Sequence, residues 1–466
     1  MSLRRTKRNE NSEWASSEFA SARSLSTQHS ALFSQEYTMD SQFLDSRGRA
    51  RVVITGMGVI SPVGDTLEES WHNVVEGHSG IGPITQFDAS DLPCRIAGEV
   101  KDFVAKKYMD FKDARRMSRA SQLAVAAARM ALSHAGITDP VPDPEDTGVV
   151  VGTGMGGFEK ADESITILRQ YGVGRVNPFA VPSSLANMPS HHVSLMAGTL
   201  GPISSVVAAC ATGTQAIGEA CEFIRRGSAS MVLAGGVEGL IHLGAVAGFI
   251  AMRGLTLNFN DRPEEASRPF DKDRDGFILS EGAGIVVLER LDKALARGAT
   301  IYGEMLGHAS SSDAYHVAAP DPEGAGAVRA MRWAVRDAGL PLEAIDYINA
   351  HGTSTPVNDA TETYAIKKLF GERAYEMAVS STKSVMGHAM GAAGAIESIF
   401  CAMALHTGIL PPTINYETRD PACDLDYVPN EARQTPIRTA MCNSFGLGGQ
   451  NACLVLGKYE ETNGEQ

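Results

Sequence analysis

The feature that most narrows what this chain can fold into is an internal echo. A helical stretch closing at Ala135-Gly136 leads through an Asp-containing link into the apolar run Val149-Val-Val-Gly-Thr-Gly154. Some two hundred residues later, a helical stretch closing at Ala338-Gly339 leads past Asp346 into Tyr347-Ile-Asn-Ala-His-Gly-Thr353. Each run is followed by a Gly- and Ala-rich helix pattern, one beginning at Cys210 and the other running from Gly391 to Leu405. Apolar runs alternating with helices predict parallel sheets covered on both faces. A unit repeated at this size predicts two related halves packed as one body. Further strands are expected at Arg51–Ile60, Ser230–Gly236, Ile285–Glu289 and Ala452–Leu456, and Thr66-Leu-Glu-Glu69 starts a helix as a capping box.

Within the first half, Val206-Val-Ala-Ala209 reads as a buried strand that hands Cys210 to the N-terminus of a helix. Free amides and the helix dipole favour a thiolate there, which predicts a lowered thiol pKa. Gly213 and its small neighbours predict room for a substrate. Two further segments set histidine or lysine among small residues at strand ends: Ala350-His351-Gly-Thr-Ser-Thr-Pro356 and Lys383-Ser-Val-Met-Gly-His388. His191, His192 and His316 are read instead as hydrogen-bonded core histidines. Gly152-Thr-Gly-Met-Gly-Gly157 fits a dinucleotide fingerprint, but no helix is expected to open at its last glycine, so it is read as a tight turn beside a pocket. Asp271 to Asp275 resembles a calcium loop whose ligand series is incomplete, and no metal is expected.

The remaining composition excludes several classes. A net charge of −14 argues against nucleic acid. No apolar run is read as reaching the ~20 residues that span a bilayer. Seven dispersed cysteines without CxxC spacing argue for a reducing compartment, hence the cytoplasm, and against a zinc site or disulfide framework. Residues 1–48 are Ser-rich and carry basic residues near the start. They are expected to be a disordered extension or, if a transit peptide, to direct the chain to a mitochondrion or plastid. Met39 is an alternative start, and residues 460–466 form a tail.

Taken in order, Ala209-Cys-Ala-Thr-Gly213, Arg268-Pro-Phe-Asp-Lys-Asp-Arg-Asp-Gly276, Ser311-Ser-Asp-Ala-Tyr-His316, His351-Gly-Thr-Ser-Thr-Pro356, Lys383-Ser-Val-Met-Gly-His388 and Asn443-Ser-Phe-Gly-Leu-Gly-Gly449 closely resemble the β-ketoacyl-acyl-carrier-protein synthases, type II in particular. The resemblance runs from about Arg51 to Lys458. It implies an α/β, thiolase-like fold: two duplicated halves, 50–300 and 301–459, in a five-layered αβαβα sandwich with mixed, largely parallel sheets. It also implies a homodimer that works with acyl carrier protein. No cofactor is implied beyond the 4'-phosphopantetheine that the carrier brings.

By resemblance, Cys210 is the nucleophile, with the amides of Cys210 and Phe445 as oxyanion donors. His351 and His388 stabilise the enolate left when malonyl-carrier protein loses CO2. Lys383 sits beside His388, with Glu397 as its ionic partner. Thr353 and Thr355 contact the phosphopantetheine arm, Phe445 gates the acyl pocket, and Met155 lies on its floor. Lys112, Arg115, Arg116, Arg175 and Arg253 form a dock for the acidic carrier. The chain departs from the family at Leu447 and Gln450, usually Phe and Thr, and at Val357-Asn358, which bears on acyl preference and loop opening. A thiolase would need a second catalytic cysteine in a context Cys442 lacks, and chalcone-synthase-like enzymes carry Asn at His388. Polyketide synthase modules usually read Gly at Ser354, and the alternatives left are a stand-alone polyketide ketosynthase and a non-catalytic chain-length-factor-like subunit, which lacks the nucleophile.

Overall fold

Strand β1, Val52–Ile60, is buried at every one of its nine positions. A strand with both faces covered belongs in the middle of a layered body, not on its surface. The computed structural model describes residues 40–460 and places β1 at the centre of a ten-stranded sheet. The first half supplies β1, β2 (Thr147–Thr153), β3 (Ile203–Ser204), β4 (Met231–Glu238) and β5 (Gly282–Arg290). The second supplies β6 (Gly303–Ser312), β7 (Tyr347–Asn349), β8 (Ala378–Ser380), β9 (Thr439–Gly446) and β10 (Gln450–Gly457).

Strand order is β3-β2-β4-β5-β1 in the first half and β8-β7-β9-β10-β6 in the second. The two orders are the same connectivity repeated, which is the duplication legible as the echo. The halves join where β1 pairs with β6 through Val53↔Glu304 and Ile54↔Gly303. Pairing is mixed, as expected, but parallel pairs do not predominate. They are confined to the outer strands, β2 with β3 and β4, and β7 with β8 and β9. The middle of the sheet is antiparallel.

Helices complete five layers. Helix α1 (Leu67–Val75) is capped by Thr66, which accepts from Glu69 N at 3.2 Å; Glu69 reaches back to Asp65 N. Helix α2 (Arg119–His134), capped by Ser118, covers β1, β4 and β5 from outside. After β2 come α3 (Phe158–Tyr171) and α4 (Met188–Ala197), and α4 packs on α2. Helix α5 (Thr212–Arg225) touches β2 and β4 but also β6 and β10, so it lies between the half-sheets. In the second half, α6 (Ala325–Ala338) and α7 (Pro356–Phe370) form the opposite outer layer, and α8 (Ala393–Thr407) joins α5 at the centre.

The two central helices cross at glycines. A Cβ on Gly213 would fall 2.6 Å from Ala395 N, and one on Gly394 would fall 1.9 Å from Thr214 Oγ1. Gly213 therefore serves helix packing and not, as the sequence suggests, space for a substrate. The segment Met390–Thr407 is long and apolar enough to span a membrane by length alone, contrary to the sequence reading, but 83% of it is buried in the core.

Three other expectations are corrected. Pairing at β3 stops at Ser204, so Val206–Ala208 lies outside any strand and Ala209 already belongs to a 3-10 turn. Helix α3 does open directly after Gly157, which is its N-cap. Residues 40–48, expected to be unstructured, pack on the body: Arg47 pairs with Asp337 at 2.8 Å, beside Arg49 at 2.7 Å, and Phe43 packs against Val53 and Leu291. The remainder of the N-terminal extension, with Met39, and the tail from 461 lie outside the described residues.

Candidate active site

Cys210 occupies a 3-10 turn, Ala209–Ala211, that runs directly into α5. The turn is held by Ala211 N donating to Ala208 O (2.9 Å) and by Ala208 N donating to Thr212 Oγ1 (2.8 Å). Ala209 takes a left-handed φ of 48°, an unfavourable conformation for a residue with a Cβ that the surroundings enforce. Only 5% of Cys210 is exposed. Burial pushes its thiol up to about 11, against the pull of the Leu447 amide and the Lys383 charge. The expected lowering is not found. A rise from 9.0 to about 11 disfavours the thiolate by ~3 kcal/mol, more than the ~0.3–2 kcal/mol a helix end supplies.

His351 follows β7, and His388 follows a short helix, Lys383–Met386. Both backbones are pinned. Glu362, from α7, accepts from His351 N (2.9 Å) and Gly352 N (2.8 Å), while His388 N donates to Ile278 O (2.8 Å). The two rings meet edge to face, with centroids 5.4 Å apart at 86°. The Cys210 sulfur and a ring nitrogen of each histidine all lie within 4.8 Å of one another. His351 Nδ1 and both nitrogens of His388 are buried without a hydrogen-bond partner among the described residues. Burial, then the Lys383 charge, holds both imidazoles well below their ordinary pKa, with His388 adding to the effect on His351. At neutral pH each ring is uncharged and carries one N–H to donate.

Lys383 is 1% exposed and forms a very short ion pair with Glu397, which is fully buried. Burial raises the Glu397 carboxyl and Lys383 draws it back down. This is the pairing the sequence implies.

A cavity of about 360 Å3 opens above these groups, lined by Cys210, His351, His388, Thr353, Thr355 and Phe445. The Thr353 and Thr355 hydroxyls lie 3.0 Å apart, and the Phe445 ring stands 5.7 Å from that of His351. Leu447 and Arg253 also line it. Met155 does not: it is 42% exposed, so a floor position is not provided within one chain. Of the proposed basic dock, Arg253 alone borders the cavity. Lys112, Arg115, Arg116 and Arg175 lie exposed elsewhere, with Arg116 over the Phe179 ring at 4.9 Å. His316 is exposed on the cavity wall, where its Nδ1 accepts from Ala318 and Ala319 N, so it is not a core residue.

Sequence reasoning missed two buried carboxylates. Glu362 holds the His351 backbone, as above. Glu238, at the end of β4, accepts from Gly154 N (2.9 Å) and Met155 N (3.3 Å). Those are the amides a dinucleotide phosphate would need, so the glycine motif is already occupied by protein. A strand-end Glu after two glycines was the available signal. The acidic run is likewise occupied: Asp271 pairs with Arg268 (3.0 Å) and accepts from Asp273, Glu417 and Thr418 N.

Among the described residues, two groups bring three metal-ligating atoms together. In Glu222, His308 and Asp337, arginines already take both carboxylates. In Cys210, His351 and His388, the neighbouring Lys383 charge opposes a cation.

The chain matches the β-ketoacyl synthase N-terminal domain over residues 49–294 and the C-terminal domain over residues 302–417. It is 49% identical over 412 residues to 3-oxoacyl-[acyl-carrier-protein] synthase 2 of Synechocystis, covering 88% of this chain and 99% of that protein. With the Coxiella burnetii protein of the same name it shares 46% over 410 residues, again 88% and 99%. Among solved structures, the ishigamide ketosynthase/chain length factor superposes with a TM-score of 0.83 at 38% identity, covering 88% of this chain and 100% of that one. A type II polyketide ketosynthase solved in complex with its acyl-carrier protein gives 0.82 at 32%, with the same coverage. With Cys210, His351 and His388 converging from two duplicated halves, the chain belongs to the β-ketoacyl synthase family of acyl-transferring condensing enzymes.

Proposed function

We propose that this enzyme is a 3-oxoacyl-[acyl-carrier-protein] synthase of the type II kind, extending fatty acyl chains by two carbons. The observation that carries the reading is the convergence of Cys210, His351 and His388 within 4.8 Å, with three ring nitrogens left without a partner among the described residues. Buried polar atoms of that kind await a ligand.

The chemistry follows from the site. Cys210 attacks the thioester of acyl-carrier protein. The acyl group passes to sulfur, the pantetheine thiol leaves, and it takes the proton that the cysteine gives up through a neighbouring imidazole. Because the resting group is a thiol, this transfer is part of the acylation step. Malonyl-carrier protein then loses CO2, and its electron pair becomes an enolate on the thioester oxygen. Two neutral N–H donors in a dry cavity stabilise that charge. The enolate carbon attacks the acyl-cysteine, the carbon–sulfur bond breaks, and the sulfur leaves as a thiolate that takes up a new proton from solvent. Splitting the reaction this way gives ping-pong kinetics. Thr353 and Thr355, on the cavity wall, hold the pantetheine arm, and Arg253 marks the side from which an acidic carrier approaches.

A homodimer is part of the proposal. Helix α3 exposes Ile165, Leu168 and Tyr171, and Leu185, Leu195 and Leu200 are exposed nearby in the chain. Strand β3 ends the sheet, so one edge has no neighbour among the described residues. A second copy would cover this face and Met155 with it, because the Met155 turn packs on it through Gly156 and Ala186. Light scattering giving a monomer at micromolar concentration would overturn that part alone.

Purified enzyme with malonyl-carrier protein and a series of acyl-carrier proteins tests the activity. Cys210→Ala abolishes condensation, while Cys210→Gln retains malonyl decarboxylation, because the amide imitates an acylated cysteine. Elongation at the wild-type rate by the alanine variant refutes the proposal.

A further inference from the structure

The duplication extends to the nucleophile turn itself. Helix α5 is entered through Ala209–Ala211, and α8 is entered through an equivalent 3-10 turn, Met390–Ala392. Each opens on a non-glycine residue in the left-handed region, Ala209 at φ 48° and Met390 at φ 46°. Each has a glycine at the helix crossing shortly after, Gly213 and Gly394. The two turns pack directly against one another. In this correspondence Gly391 stands where Cys210 stands, so the second turn has no nucleophile.

The strands beside the turns also correspond, β4 in one half and β9 in the other, and they end differently. Strand β9 ends at Gly446, where an added Cβ would come 3.2 Å from Cys210 N, so the missing side chain keeps that amide open. Strand β4 ends at Glu238, fully buried, whose carboxylate accepts from Gly391 N at 3.0 Å. The same carboxylate accepts from Thr153 Oγ1 (3.0 Å), Gly154 N and Met155 N. One turn is open to a ligand, and the other is filled by protein.

We propose that Glu238 is a positioning residue: it plugs the second copy of the turn and, by tying Gly391 to Gly154 and Met155, fixes the His388 segment relative to Cys210. His388 lies three residues before Gly391, and the tie crosses from the first half of the chain to the second. The inference rests on the ketosynthase reading above. Gln at this position has nearly the same shape but presents an N–H where only acceptors fit, opposite buried N–H donors. The strained turns on either side then relax. Misplacing a reacting group by about 1 Å can cost about 10²-fold in rate.

The test compares full-length wild type, Glu238→Gln and Thr153→Val for condensation, and places Glu238→Gln in the Cys210→Gln background for decarboxylation. Thermal unfolding of each variant is recorded alongside. The expected result for Glu238→Gln is a fall in kcat of about 10²-fold with KM for malonyl-carrier protein unchanged, and a parallel loss of decarboxylation. Thr153→Val removes one of the four donors and lowers kcat by up to about tenfold at unchanged KM, as one hydrogen bond allows. Unchanged kcat in Glu238→Gln overturns the inference. So does a loss that appears as raised KM and lowered Tm together, which marks a structural role. If Glu238→Gln does not fold, Thr153→Val decides alone, and wild-type kcat there overturns the inference. Failure of the wild type to condense would instead refute the ketosynthase reading itself.

Discussion

Replacing Gly446 by alanine tests the site with one methyl group. The new Cβ would stand 2.7 Å from Ala208 O and 3.2 Å from Cys210 N. The first distance is shorter than real contacts allow, so the turn at 208–210 must move by several tenths of an ångström. That turn is tied at both ends, by Ala211 N to Ala208 O and by Ala208 N to Thr212 Oγ1, so it moves as a unit and takes the sulfur and its amide along. Overpacking of this sort costs ~1–3 kcal/mol in stability, which a domain of this size survives. Losing one oxyanion donor costs about 10²–10³ in rate. The acylation half-reaction, followed by rapid quench and intact-protein mass spectrometry, should therefore slow by about 10²–10³ while KM for acyl-carrier protein is kept. Decarboxylation in the Cys210→Gln background should suffer less, because its charge develops at the histidines. A folded Gly446→Ala enzyme that acylates at the wild-type rate would refute the assignment of the Cys210 amide.

Lys383→Met leaves Glu397 buried without its partner, and breaking such a pair costs ~3–5 kcal/mol, read by urea unfolding at neutral pH. In the same variant both imidazoles should titrate at higher pH by NMR, since the Lys383 charge helps hold them down; no movement refutes that role. Burial pushes the Glu362 carboxyl from 4.5 up to about 7, so its protonated form favours the fold and stability is lost as pH rises through that window. Glu362→Gln should therefore gain on the wild type by up to about 3 kcal/mol between pH 4.5 and 7 and hold level above, and a pH-independent difference refutes the shift. Asp337→Ala strips Arg47, Arg49 and Arg225 of a partner at once, and because Arg225 is nearly buried the variant should lose ~1–3 kcal/mol.

How much of this was legible in the sequence depends on what each property rests on. The duplicated halves could be read because apolar runs and Gly-Ala helices repeat in the same order. Cys210 at a helix entrance could be read from small residues before a helical period. The partnership of His351, His388 and Lys383 could not come from spacing, since it depends on two segments folding onto a third, and only the family resemblance supplied it. The thiol pKa was misjudged because the helix end is a local property and burial is not. Gly213 looked like space because a glycine in sequence does not show the helix it will meet. Glu238 and Glu362 were overlooked because a single acidic residue normally marks solvent. Met155 cannot be placed from sequence either: it stands exposed, outside the cavity.

The seam between β1 and β6 has a mechanical consequence. Enzymes that divide their reactive groups between two lobes often close them like a jaw around the substrate. Here the backbone is paired across the seam through Val53↔Glu304 and Ile54↔Gly303, so swinging one lobe away from the other would break main-chain hydrogen bonds. Leu447 borders the cavity from the β9–β10 turn, between the paired Gly446 and Gln450, in a tight bend made by Gly448 and Gly449 at φ 81° and 71°.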